Sequence, residues 1–229
     1  MFLFLRLVLA HFIGDFLFQS DEVYEVKKKG FAGALVHYFI IFFTFLLFSF
    51  PYLKYANCWL VILFASLTHV LQDEIKLRYI TNPKLNLFAF IADQIFHIIF
   101  LTPIFIFDFS NIVPESKNLL THLYNNRSLI IFGIGYIASI FMGAYIWESL
   151  KISYFKKPGA FEHLLVKYGM FERFVITTAF LNRHFLIFLA VPVVMHLCFK
   201  KLPLGSSFIF NIIFAGIIGF LLRRYLPIF

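Results

Sequence analysis

Charge is scarce in this chain. Of its 229 residues only 14% are Asp, Glu, Lys or Arg, while 61% are hydrophobic. Soluble domains carry about 25% charged and about 45–50% apolar residues, so a soluble globular domain is excluded. Cysteine is nearly missing. Cys58 and Cys198 stand alone with no CxxC pair, which excludes a disulfide framework and a zinc knuckle. Long polar stretches are also wanting: the two longest, 108–127 and 151–169, leave no room for a soluble domain. No HExxH, no Ser-His-Asp order and no glycine-rich phosphate loop is present. The formal charge of +8 comes from Lys and Arg in short loops between apolar runs, not from basic stretches interleaved with stacking aromatics. Nucleic acid is therefore not expected as a partner.

What is abundant is apolar sequence, with 35 phenylalanines and a mean hydropathy of +0.86. A transmembrane helix needs about 20 mostly apolar residues. Such runs occur near 1–19, 31–50, 57–77, 86–107, 128–150, 170–182, 185–199 and 205–222. They predict an all-α, polytopic integral membrane protein with seven or eight transmembrane helices in one bundle. The count turns on whether Leu181-Asn182-Arg183-His184 is a tight hairpin or part of one long bent helix. Residues 1–107 are expected to form a four-helix unit, and 108–229 to supply three or four further spans. An amphipathic, interfacial cytoplasmic segment is expected near 159–169. The first 18 residues read as a retained helix rather than a cleaved signal, because Asp15 interrupts the run and no small-x-small site follows.

Alternate loops hold twelve Lys and Arg on one side against seven on the other, with Arg173 inside a run. The positive-inside rule then puts 20–30, 78–85 and 151–169 in the cytoplasm. The expected location is a bacterial inner (plasma) membrane, multi-pass, with lipid as the environment.

Four of the runs carry polar residues that do not suit lipid. The first has His11 and Asp15, the second His37, the third His69 and Asp73 followed by Lys76, and the fourth Asp93, Gln94 and His97. Spacing of i, i+4 puts each His/Asp pair on one helix face, roughly 40° apart. An Asp at mid-membrane costs about 2.5–3.5 kcal/mol, so three without partners would cost roughly 8–10 kcal/mol, as much as a whole domain's stability. A divalent cation satisfies them together, since imidazole and carboxylate are common ligands of zinc, manganese and iron. Depth agrees: at about 1.5 Å per residue, all seven candidates lie roughly 6–17 Å from the same membrane surface. The candidate ligands are His11, Asp15, His37, His69, Asp73, Asp93 and His97. They are enough for one ion or two, with zinc or manganese favoured. His37 has no i+4 acid and reads equally as a ligand, as a donor to one or as only a polar helix-end residue. Lys76 is either a snorkelling interfacial lysine or an anion clamp beside the metal. Gln19 and Gln94 are expected to hydrogen-bond the ligands. Glu172 and Arg173 are expected in structural ion pairs with other helices. His122, His163, His184 and His196 have no partner spacing and are assigned no role.

His11-x-x-x-Asp15-Phe16-x-x-Gln19, the lysines at 27–29, His37, His69-x-x-x-Asp73-x-x-Lys76 and Asp93-Gln94-x-x-His97 together resemble the family catalogued as domain of unknown function 3307. That family is similar to the YdjM-like inner-membrane proteins, which are described as metal-dependent hydrolases. The likeness covers about residues 1–105, and Tyr168–Phe174 resembles a Gly-x-x-Glu-Arg motif of longer members. It implies metal and hydrolysis but no substrate. A lipid phosphoester is the expected substrate class, because the cluster lies below the headgroup level. Asp73, Lys76 and Gln94 are the expected catalytic residues. Two readings compete: a metal-ion or proton transporter, and a metal-stabilised scaffold without turnover.

Overall fold

Along Ala56–Tyr79 a histidine and an acid lie on the buried face while a stripe of leucines lies on the outward one. Cys58, Val61, Ile62, Ala65, Ser66, His69 and Asp73 are buried, while Leu60, Leu63, Leu67, Leu71 and Ile75 point outward. The same inversion recurs along Asn86–Ile99, where Ala89, Asp93, Gln94 and His97 are buried and Phe88, Ile91, Ile95 and Ile99 are exposed. A water-soluble helix buries its apolar stripe. A helix that buries its acids and exposes leucine is built for a hydrocarbon surround.

The computed structural model describes residues 2–79, 82–107, 109, 119–155, 163–182, 190–194 and 206–226, and among these there is no strand. The helices are α1 (Phe2–Phe12), α2 (Asp21–Lys27), α3 (Phe31–Phe48), α4 (Ala56–Tyr79), α5 (Asn86–Ile99), α6 (Leu119–Asn125), α7 (Arg127–Ile137), α8 (Gly143–Leu150), α9 (His163–Leu181) and α10 (Ser206–Tyr225). Short π turns at Ile13–Leu17, Ala138–Met142 and Lys151–Phe155 extend α1, join α7 to α8 and extend α8.

Among the described residues four helices are long and apolar enough to cross a membrane: Ala56–Tyr79, Pro83–Ile106, Arg127–Tyr154 and Ser207–Tyr225. That is fewer than the seven or eight expected from the sequence, and the differences have physical causes. The first helix runs from Phe2 through the π turn only to Leu17, short of a full span, and Ser20 then caps the separate helix α2. The second run is the shorter apolar stretch Ala32–Phe48. In place of the sixth run stands α9, which carries Lys167, Glu172 and Arg173. Of the seventh run, 185–199, only 190–194 is described; Arg183, His184, residues 159–162 of the segment expected at the interface and most of the loop 108–118 lie outside the described residues, while 163–169 form the first turns of α9.

The chain has two compact units, Met1–Ile130 and Ile131–Phe229. In the first, α3 packs on α1, α2 and α4, and α4 packs on α5. Its interior holds Leu7, Ile41, Phe45 and Ile62, each fully buried. Arg6 is also buried, between the rings of Phe2, Tyr52 and Tyr124, and donates to the Tyr124 carbonyl.

In the second unit α9 and α10 lie along one another. Arg173 donates to the Ile140 carbonyl at 3.1 Å and to Asn211 Oδ1 at 2.6 Å, and Asn211 Nδ2 donates to Glu172 Oε2 at 2.6 Å. Adjacent residues point away from each other on a helix, so Asn211 on α10 is what links Glu172 to Arg173.

Candidate metal centre

Every polar residue singled out in the first four runs lies in the first unit. His11 is on α1, Asp15 in the π turn, His37 on α3, His69, Asp73 and Lys76 on α4, and Asp93, Gln94 and His97 on α5. All are buried except Lys76, whose side chain is 30% exposed. The π turn carries Asp15, and its Phe18 N–H reaches back to the Ile13 carbonyl at 3.0 Å. A π turn widens the helix by one residue per turn and re-aims the side chain it carries, which is why such turns recur at functional sites.

Two groups form, sharing Asp73. The first is Asp15, His37, His69 and Asp73; the second is Asp73, Asp93 and His97. In the first group His37 Nε2 lies 3.1 Å from Asp15 Oδ1, 3.0 Å from His69 Nε2 and 3.3 Å from Asp73 Oδ2. His69 Nε2 lies 3.1 Å from Asp15 Oδ1 and 3.4 Å from Asp73 Oδ2. Four ligands around a zinc-like ion with bonds of about 2.0–2.1 Å stand roughly 3.3–3.4 Å apart. Five of the six edges of such a tetrahedron are therefore close to the length a metal requires. The donor chemistry points the same way. A neutral imidazole offers one N–H in total, yet His37 Nε2 faces two carboxylate oxygens and a second imidazole nitrogen. One proton serves one of these contacts, whereas a cation between the four atoms serves them all.

The second group is looser. His97 Nε2 is 3.3 Å from Asp93 Oδ1 and 4.0 Å from Asp73 Oδ1, and neither of its ring nitrogens makes a hydrogen bond among the described residues. The His97 ring instead packs on that of His69, with centroids 3.9 Å apart.

His11 falls outside both groups. Its Nε2 meets Gln94 Oε1 at 3.3 Å and its Nδ1 is 3.9 Å from Asp15 Oδ2, so it stands behind the first group rather than in it. Gln94 joins the two sides: its amide nitrogen is 3.5 Å from Asp15 Oδ2 and 3.4 Å from Asp93 Oδ2. Lys76 Nζ is 2.5 Å from Asp93 Oδ2 and 3.6 Å from Asp73 Oδ1.

One participant has no counterpart among the sequence candidates. Lys27, on α2, is buried and donates to Asp73 Oδ2, and also to Gln19 Oε1 at 3.3 Å. In sequence it is one of three lysines in a row and reads as a topology signal. Its neighbours behave that way: Lys28 is exposed and pairs with Glu25 at 2.6 Å, and Lys29 is exposed. The signal that separates Lys27 is local backbone chemistry. Gly30 takes φ +113°, a left-handed conformation that reverses the chain after α2. Gly33 then lets α3 press directly on the backbone of Val26 and Lys27. Two glycines three residues apart after a capped short helix mark a tight helical hairpin, and that hairpin turns Lys27 inward.

The family profile described as "Protein of unknown function (DUF3307)" matches residues 3–129, more than half the chain and all of the cluster, and the chain belongs to that family. No curated protein and no solved structure matches the chain.

Proposed function

We propose that this member of the DUF3307 family is a metal-dependent hydrolase of a lipid phosphoester, working as a multi-pass protein of the inner membrane. The observation that carries the reading is the set of five separations of 3.0–3.4 Å among the donor atoms of Asp15, His37, His69 and Asp73.

A divalent ion at that position supplies Lewis acidity toward a phosphoryl oxygen and lowers the pKa of water toward neutrality. The chain's own residues do the rest. Three carboxylates meet two ammoniums, Lys27 and Lys76, so the cluster carries a net −1 with its histidines neutral. One divalent ion brings it to +1, and an anionic substrate oxygen then neutralises it. Lys76, the most exposed charged group of the cluster, is placed to meet that oxygen first. Gln94, tied to His11 on one side and to two carboxylates on the other, keeps Asp15 and Asp93 fixed in orientation.

A metal-stabilised scaffold is favoured by one observation. Four protein ligands close a tetrahedral zinc site, and closed sites are structural. An ion that takes five or six ligands, such as manganese, keeps room for water and substrate in the same group. Transport has less support. Two helical turns from the cluster the interior is filled by Phe45 and Ile62, and the buried hydroxyls of Thr44 and Ser66 are spent on the Ile40 and Ile62 carbonyls at 2.5 and 2.7 Å.

The test is turnover of phospholipid monoesters and diesters by the full chain in detergent, loaded with manganese or with zinc. The expected result is hydrolysis that chelator removes and added metal restores. Tight metal binding with no turnover on any phosphoester would establish the scaffold instead.

A further inference from the structure

We infer that the centre is mononuclear, and that the Lys76 ammonium occupies the place of a second metal ion. The inference rests on the metal reading above and fixes its stoichiometry. Asp73 is shared between two ligand groups, the arrangement from which a carboxylate-bridged pair of ions would be expected. Two observations separate the groups.

The first is geometry. Two ligands on an ion with bonds of about 2.0–2.1 Å are at most about 4.2 Å apart, and only when directly opposite each other. His97 Nε2 and Asp73 Oδ1, at 4.0 Å, are nearly at that limit, while every measured separation in the first group is 3.0–3.4 Å. The second group is too open on one edge for a compact three-ligand site.

The second is occupancy by the chain itself. Lys76 Nζ stands between the two carboxylates of the second group, 2.5 Å from Asp93 Oδ2 and 3.6 Å from Asp73 Oδ1. That is where a bridging cation would sit. Lys27 differs: among the described carboxylates it touches Asp73 alone, through the same Oδ2 that faces His37 and His69, and leaves the edges between His37, His69 and Asp15 short. Lys27 is therefore a donor to one ligand oxygen, whose other lone pair stays directed at the histidines, whereas Lys76 is a cation shared between two carboxylates. Charge agrees. Two divalent ions with both lysines in place would set six positive charges against three carboxylates in a buried cluster, an excess that the interior does not solvate. One ion with both lysines leaves an excess of one.

The experiment is metal stoichiometry of the full chain in detergent, stripped with chelator and reloaded with excess manganese, read by elemental analysis and by electron paramagnetic resonance. The parent is expected to hold one equivalent and to show the hyperfine pattern of an isolated ion. Lys76→Gln removes the ammonium and is expected to admit a second equivalent with a spin-coupled spectrum, while Lys76→Arg keeps the charge and stays at one. Two equivalents or a coupled spectrum in the parent would overturn the inference and leave the hydrolase reading standing. Lys76→Gln remaining at one equivalent would also overturn it. No bound ion in the parent would sink the metal reading itself. The parent spectrum decides the matter even where Lys76→Gln does not fold.

Discussion

Asp73→Asn is expected to empty the centre of metal and to destabilise the first unit at the same time. Asp73 is the one residue common to both ligand groups. Its Oδ2 faces His37 and His69 at 3.3 and 3.4 Å and accepts from Lys27, and its Oδ1 is 3.6 Å from Lys76. Asparagine keeps the shape but turns one of those oxygens into an NH2 donor and removes the charge. Replacing groups behind metal ligands costs about 10–100-fold in affinity, so losing a ligand is expected to cost at least about 100-fold. Lys27 then keeps only neutral partners, Gln19 and the amide oxygen of the new side chain, in a site where it is 5% exposed. Breaking one partner out of a buried ion pair costs about 3–5 kcal/mol. Melting in detergent with and without metal reads both effects. A ligand at about 100 times its Kd stabilises the parent by about 2.7 kcal/mol, and the variant should show no such metal-dependent shift. A variant that keeps its metal and melts higher than the parent would show that Asp73 is an unpaired buried acid and no ligand.

Gly33→Ala is the second large effect, although the residue bears no functional group. A methyl there would overlap the Val26 carbonyl and stand 2.8 Å from Lys27 Cα. Both are backbone atoms, so the side chains cannot yield and α2 has to move off α3. That movement withdraws Lys27 from Asp73. Overpacking costs about 1–3 kcal/mol, and the loss of the buried pair adds to it. Gly30→Ala is the comparison: nothing lies within 4 Å of its added methyl, and the cost is backbone strain at φ +113°, ψ −158°, a region kept almost wholly to glycine, about 1–3 kcal/mol. The pair is separated by a double-mutant cycle. Gly33→Ala and Lys27→Met together should cost clearly less than the sum of the two, because each removes the same ion pair. Full additivity would show that Gly33 does not act through Lys27.

What the sequence shows well is whatever follows from helical periodicity. His69 and Asp73, or Asp93 and His97, are one turn apart on any α-helix, and the outward stripe of Leu60, Leu63, Leu67 and Leu71 follows from the same period. Convergence of α1, α3, α4 and α5 residues was inferable because burying several acids separately in lipid is too costly. The features that escaped depend on departures from the regular helix or on distance in three dimensions. A π turn at Ile13–Leu17 has no reliable residue signature, so the aim of Asp15 could not be read. His11 has the same i+4 spacing to Asp15 as His69 has to Asp73, yet it hydrogen-bonds Gln94 and stands outside both groups. Lys27 was hidden in a lysine triplet, where only the backbone of Gly30 and Gly33 decides which ammonium turns inward. Among the described residues fewer helices reach membrane length than the hydropathy runs suggest, because a run does not register where a helix ends, as after Leu17, or where charges enter one, as in α9.

The most direct measurement of the central claim is X-ray absorption at the zinc edge on the full chain reloaded with one equivalent of zinc. The account predicts a first shell of nitrogen and oxygen at about 2.0–2.1 Å, with outer-shell scattering from two imidazole rings, those of His37 and His69. Either His37→Ala or His69→Ala should remove one of the two rings from the spectrum, and His11→Ala should remove neither. A spectrum with no imidazole scattering, or one that loses a ring in His11→Ala and keeps both in His69→Ala, would contradict it.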